Sequence, residues 1–475
     1  MAVLETWQAV DVATVQQWLA QPQRLSKTTD ISLPSKDRGA IRRQPERDFV
    51  AGKLGIGDDA AALLGALTLR CCQLHTLRLS GNCIGDHGAQ CLAESLKLSS
   101  SSLQILDLSG NCFTAVGAKH LASTFFQSSG GEHAPRLLDL SGNPLDDHGV
   151  AGVARCAAAG AGAARTLLRL EDVSCTSQGL PELLRCAFAG LDLSRNKLGL
   201  AGGMSTLAAQ KRKGWRSLRI SDIGESEGNP RKPLMLAPLA RSLAECLRGK
   251  LLTDLECGSN GLGEQACCQL AEALGSCEPT LRRLAMPQTG FGLRGCAALG
   301  QSLWPDKGAA GLRILDLSCN QLVDASIELL SDGLSRCGAL QEMQLADNAI
   351  SCRGIAVLAN ALHAQRQLNA TEEGGTGVVV LSLRGNPVGS AGAKALAALA
   401  AASTQDKRCL SLDSPWGLES LDLAQAQVGR EGRDSLTAAV AARAALADAA
   451  SRRLAEEPLD EAQREVTNPG ARVAP

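Results

Sequence analysis

Tyrosine is absent from this 475-residue chain, and aromatic residues of all kinds make up only 2% of it. Aromatic rings supply the stacking platforms of single-stranded nucleic-acid binders and many of the anchors at protein interfaces. Their scarcity argues against nucleic acid as a ligand and against an interface driven by aromatic anchors. Net charge is also lacking, since 48 basic residues meet 49 acidic ones. No global field therefore draws the chain to nucleic acid or to a membrane surface. No apolar run approaches the roughly 18 residues of a membrane span. The first stretch carries Glu5 and Asp11 where a secretory signal would be apolar.

The 18 cysteines contain no Cys-x-x-Cys pair, the spacing that zinc sites and thioredoxin-like motifs need. The Gly-Ala runs lack the Lys and Ser/Thr of a phosphate-binding loop. Six histidines are scattered. His87 and His148 share an Asp-His-Gly wording, but two coils of chain separate them. No catalytic residue, metal ligand or cofactor is expected from these absences. Reduced, buried thiols in a cytoplasmic protein are the simplest reading of the cysteines, with the vicinal pairs Cys71–Cys72 and Cys267–Cys268 as candidate oxidation-sensitive sites.

What is present is a repeat. Leu74 to Asn82 reads LHTLRLSGN, Leu103 to Asn111 reads LQILDLSGN, and Leu312 to Asn320 reads LRILDLSCN. With the Asn as register mark, thirteen units fall at Leu54, Asn82, Asn111, Asn143, Val173, Asn196, Ile223, Asn260, Thr289, Asn320, Asn348, Asn386 and Ala426. A period of about thirty residues makes stacked coils rather than a single globule. Within a unit, Leu77-Arg78-Leu79 alternates at the two-residue period of a strand. Leu92, Ala93 and Leu96 recur at helical spacing. Strand, turn, helix and return form one coil, and stacking gives a parallel sheet backed by helices.

The Asn marks (Asn82, Asn111, Asn143, Asn196, Asn260, Asn320, Asn348 and Asn386) are expected to be structural, with buried amides satisfying the backbone of neighbouring turns. On that reading Asn111→Ala costs on the order of 1–3 kcal/mol, and units marked by Val173, Ile223, Thr289 or Ala426 are locally softer. Six residues past the mark, nine units carry glycine: Gly88, Gly117, Gly149, Gly179, Gly202, Gly295, Gly354, Gly392 and Gly432. Close backbone approach or a special dihedral at the helix start is implied.

The repeat length, the Asn mark and the Gly-x-x-Leu-Ala helix resemble the ribonuclease-inhibitor type of leucine-rich repeat, over about 390 of the 475 residues. The resemblance implies an α/β fold: a right-handed curved leucine-rich-repeat solenoid of about 13 repeats, with the parallel sheet concave and the helices convex. It also implies protein binding rather than catalysis. Relatives with this repeat include a GTPase activator and ciliary regulators, so regulation of a small GTPase or a structural role in a ciliary or cytoskeletal assembly are the alternatives.

The expected domains are an amphipathic helix over 1–20 acting as cap or docking element, a polar linker over 21–50, the solenoid over 51–432, and a closing helix with a frayed tail over 433–475. The candidate partner surface is the column between the two strand leucines. It reads Arg78, Asp107, Asp139, Arg169, Asp192, Arg219, Glu256, Ala285, Asp316, Gln344, Ser382 and Asp422. Half of these are acidic, and Glu171 adds one in the next column, so a basic protein partner is the expectation. Reversing Asp107, Asp139 and Asp192 to Lys is expected to weaken capture and leave the thermal midpoint nearly unchanged.

Overall fold

The computed structural model describes residues 30–32, 57–68, 75–98, 103–127, 134–160, 162–199, 215–224, 237–248, 251–369, 377–402, 420–439 and 441. The chain divides into two compact units, Met1–Asn320 and Gln321–Pro475.

In the first unit ten three-residue strands line up in chain order, every neighbouring pair parallel and in register. They are β1 (Asp30–Ser32), β2 (Thr76–Arg78), β3 (Ile105–Asp107), β4 (Leu137–Asp139), β5 (Leu167–Arg169), β6 (Gly190–Asp192), β7 (Ser217–Arg219), β8 (Asp254–Glu256), β9 (Arg283–Ala285) and β10 (Ile314–Asp316). Helices alternate with them: α1 (Asp58–Thr68), α2 (Asp86–Leu98), α3 (Ala115–Phe126), α4 (Asp146–Ala158), α5 (Leu180–Leu183), α6 (Ala237–Arg248), α7 (Gly263–Gly275) and α8 (Gly292–Ser302). The second unit repeats the plan with α9 (Asp324–Arg336), β11 (Glu342–Gln344), α10 (Cys352–Asn369), β12 (Val380–Ser382), α11 (Gly389–Ala402) and β13 (Ser420–Asp422), again parallel. A further helix runs over residues 430–439.

Each coil buries the same wording. The central strand leucines Leu77, Leu106, Leu138, Leu168, Leu218, Leu255, Leu284 and Leu315 are fully buried, as are Leu92, Leu121, Leu270 and Leu299 of the helices. A coil alone cannot cover these side chains, so each stands on its neighbours. The shortest helix, α5, is confined by Gly179 and Pro181 around its first turn. Beyond it the buried ring of Phe188 meets Phe126 edge-on at 5.7 Å.

Strand β1 lies inside the segment read from sequence as a linker. Its pairing with β2 in register (Asp30 beside Thr76, Ser32 beside Arg78) starts the first coil earlier than the Leu54 mark. The wording Ile31-Ser32-Leu33 carries Lys36 at the mark, which hides the unit from a search keyed on Asn. The expected helix over 1–20, the tail beyond 441 and the pair Cys71–Cys72 lie outside the described residues.

The recurrent glycines answer to space rather than dihedral. None of the described ones is among the residues with positive φ. A methyl group on Gly88 would come within 3.0 Å of Asp58 Cα, and one on Gly179 within 3.2 Å of Asp147 Cα. Helix starts in successive coils approach too closely for a side chain.

The asparagines form a ladder of hydrogen bonds between coils. Asn111 donates from Nδ2 to Leu108 O and to Leu79 O of the preceding coil, and its Oδ1 accepts from Ile84 N. Asn196, Asn260 and Asn386 repeat the pattern. Most strand-exit carbonyls thus have two prospective donors, their own Asn and the next one. Val173, Ile223 and Thr289 are each flanked by Asn marks on both sides, so no carbonyl beside them loses both. Their own amides are still satisfied, by Asn196, Asn260 and Asn320. The local softening expected of these units therefore does not follow from an unpaired backbone. Thr289 also replaces the missing amide in part, donating its hydroxyl to Met286 O.

A second ladder was not visible in the repeat wording. An aspartate in the first turn of one helix caps the start of the next coil's helix. Asp86 accepts from Thr114 N at 2.7 Å and Gly117 N at 2.8 Å. Asp147 accepts from Thr176 N at 2.7 Å and Gly179 N at 3.1 Å. Asp324 accepts from Ser351 N at 2.7 Å and from the Ser351 hydroxyl. Partial burial raises the pKa of each carboxyl, but these hydrogen bonds outweigh it and hold all three below the usual aspartate value. A depressed folded-state pKa means the unfolded chain binds protons more readily, so the stabilisation is complete above pH ~4 and is lost as pH falls through the folded value. Asp147→Asn is expected to cost about 1 kcal/mol at neutral pH and to flatten the stability curve below pH ~4. Denaturant melts across that range check both, and an unaltered acid limb would contradict the cap.

Candidate functional site

The open face of the sheet in Met1–Asn320 carries the expected charged column. Register places Arg78 beside Asp107, Asp107 beside Asp139, Asp139 beside Arg169, Arg169 beside Asp192, Asp192 beside Arg219 and Arg219 beside Glu256. The next pairs are Glu256 with Ala285 and Ala285 with Asp316.

The acids in this column are engaged inside the protein. Asp139 meets Arg169 at 3.4 Å, and Arg219 lies between Asp192 at 3.9 Å and Glu256 at 3.7 Å. Glu256 also takes Arg283 at 3.5 Å, from the neighbouring column. Glu171 pairs with Arg195 at 3.1 Å. Each aspartate also closes its own turn, for a carboxylate two residues before the end of the loop can accept the backbone N–H there. Ser109 N, Ser141 N, Ser194 N and Ser318 N donate to Asp107, Asp139, Asp192 and Asp316. This is the physical content of Leu-Asp-Leu-Ser. In the second unit Asp422 does the same with Ala424 N.

Burial differs along the row. Asp139 and Asp192 are 7% and 5% exposed, while Asp107, Glu256 and Asp316 are half-buried. Burial first, and Asp107 beside it, raise the Asp139 pKa against the opposing pull of Ser141 and Arg169. A lysine at Asp139 or Asp192 would be buried against an arginine. The expectation that charge reversal leaves stability nearly unchanged is therefore corrected.

Beside the charges runs a second column, at the first residue of each strand. Ile105, Leu137 and Leu167 stand next to one another in register and are half-buried. In the sequence each looks like one more apolar residue of the repeat. The signal was their place, one residue outside the buried alternation.

A third column precedes the strands, seven residues before the mark. It reads His75, Gln104, Arg136, Thr166, Ala189, Arg216, Thr253, Arg282 and Arg313. Among these first-unit residues there is no acid, and the four arginines are exposed. The fixed seven-residue offset was the signal available in the sequence.

Several thiols among the described residues are held in the protonated form. Burial pushes Cys186 and Cys337 up to about 11 and Cys267 up to about 12, and it raises Cys175 and Cys257 as well. Such groups stay protonated and unreactive near neutral pH. Cys268, the half-buried member of the pair Cys267–Cys268, is likewise pushed up by burial and by Glu272. Among the described residues no group of three or more His, Cys, Asp and Glu side chains is arranged to hold a metal ion. No helix among them is long and apolar enough to cross a membrane.

A family model described as a leucine-rich repeat matches residues 70–93, 99–122 and 378–397. Human NACHT, LRR and PYD domains-containing protein 13 is 28% identical over 163 residues, which cover 34% of this chain and 14% of that protein. The chain thus spans only about a seventh of that relative's length. Among solved structures, an internalin from Listeria monocytogenes aligns over 86% of this chain and 93% of its own at 15% identity and a TM-score of 0.34. The yeast Rad7 and Elc1 complex contains a chain aligning over 70% of this one and 80% of its own, at 15% identity and a TM-score of 0.37. The matched segments coincide with β2–α2, β3–α3 and β12–α11, where the Leu-x-Leu-x-x-Asn wording and its geometry meet, and these segments are leucine-rich repeats.

Proposed function

We propose that this protein is a non-enzymatic scaffold that binds a protein partner on the open sheet face of its first unit. The observation that carries the reading is the half-exposed apolar strip of Ile105, Leu137 and Leu167. Contiguous apolar side chains ringed by polar groups are the anatomy of an interface core and its rim. Here the rim is Arg78, Asp107, Asp139 and Arg169, in register with the strip. The Asp139–Arg169 ion pair and the turn hydrogen bonds of Asp107 and Asp139 hold three of these groups in place, which lowers the ordering cost of binding.

The double substitution Leu137→Glu and Leu167→Glu tests it. Both side chains are half-exposed, so the coil is expected to keep its circular dichroism and melting behaviour. Quantitative affinity capture is expected to lose its specific partners with this variant. Undiminished capture by a folded variant would retire the assignment of this face.

A further inference from the structure

We infer that the partner meets the first unit with an acidic polypeptide segment, received by Arg216, Arg282 and Arg313 along the leading edge of the sheet. The inference rests on the scaffold reading and adds the partner's chemistry to it.

The sign follows from which charges remain available. Each acid of the strand column is already committed to an arginine, to its own turn, or to both. The leading-edge arginines differ. Arg216 and Arg313 are exposed and are paired with no carboxylate among the described residues. Arg282 is exposed and donates Nη1 to Gly311 O at 3.0 Å, which anchors its guanidinium without neutralising it. The backbone sets their spacing. Thr253 N donates to Arg216 O, Arg282 N to Thr253 O and Arg313 N to Arg282 O. Successive coils therefore stand side by side, with Arg282 and Arg313 about 5 Å apart at the backbone and Arg216 about 10 Å from Arg282. Guanidinium groups held in a row match carboxylates, which they can take in bidentate fashion.

A polyphosphate fits less well. Asp254 and Glu256 follow Thr253 on the strand between Arg216 and Arg282, and Asp316 follows Arg313; these acids lie within roughly 10 Å of the arginines and would repel a continuous chain of phosphates. No aromatic residue stands in these columns to stack a base. A polypeptide can place its carboxylates over the arginines and neutral residues over the acids.

Fluorescence anisotropy with the full chain and a short fluorescein-labelled poly-L-glutamate at low salt tests this. Binding is expected, and it should weaken steeply with added salt. Arg216→Ala, Arg282→Ala and Arg313→Ala together are expected to weaken it about tenfold. The corresponding triple lysine variant should keep most of the affinity. Arg216→Ala with Arg313→Ala, which spares the Arg282 anchor, should lose part of it. The exposed arginines Arg241 and Arg294, changed to Ala, should leave it unaltered.

Three results would overturn the proposal: no binding of poly-L-glutamate, equal binding by the triple alanine variant, or an oligodeoxythymidylate of matched charge binding more tightly than the peptide. None of these bears on capture through Leu137 and Leu167, so failure here is separable from failure of the scaffold reading.

Discussion

Asn196→Ala is expected to destabilise the first unit by on the order of 4 kcal/mol, several times the effect of Asn111→Ala, although the two residues look identical in the repeat. Asn196 donates to Leu170 O, Leu193 O and Ser194 O, and accepts from Val173 N and Cys175 N. Its neighbours in the ladder are Val173 and Ile223, which carry no side-chain amide. Removing it therefore leaves three consecutive coils without an Asn. Leu170 O and Leu193 O lose their side-chain donor, and two buried N–H groups lose their acceptor. Each such group costs about 1 kcal/mol or more when left unpaired.

Asn111 stands between Asn82 and Asn143. When it is removed, Leu79 O keeps Asn82 and Leu108 O keeps Asn143. Only Ile84 N is stranded, and the expected cost is about 1 kcal/mol. Denaturant titration of the two variants gives the ratio, and hydrogen exchange gives the location. Exchange at Val173 and Cys175 should accelerate in Asn196→Ala. Equal destabilisation by the two substitutions would refute this account of the ladder.

The second large effect is expected from Asp139→Lys combined with Asp192→Lys. Both carboxylates are buried, and each serves an arginine and a turn. Reversal places lysine against Arg169 and Arg219 and removes the acceptors of Ser141 N and Ser194 N. Breaking a buried pair by changing one partner costs about 3–5 kcal/mol. Arg169 and Arg219 are 33% and 29% exposed, so solvent moderates the repulsion and about 3 kcal/mol is expected for the pair of changes. Thermal and denaturant melts check it. A midpoint within error of the native value would show that the column is a free surface after all. Any binding assay on these variants needs that control first.

Much of the fold was legible in one dimension, because the repeat states its physics thirteen times. Alternating leucines, the Asn mark and the recurrent glycine each correspond to one observed device: buried strand, amide ladder, close helix approach. What escaped was written in exceptions. The first coil carries Lys36 where a mark was sought, so β1 read as linker. The arginines of the leading edge recur in only some units, so their fixed offset from the mark is a weak signal.

The candidate site was less legible for a different reason. Sequence shows which residues share a column but not what each one touches. Asp107 and Asp139 read alike, yet one is half-buried beside Arg78 and the other is 7% exposed and paired with Arg169.

By itself, then, the sequence determined the coil, its period and its parallel stacking, because local propensity and a short-range hydrophobic pattern suffice for these. Only the tertiary structure decided which charges remain available. That depends on neighbours about thirty residues apart in the chain and about 5 Å apart in space, where one arginine can cancel two acids.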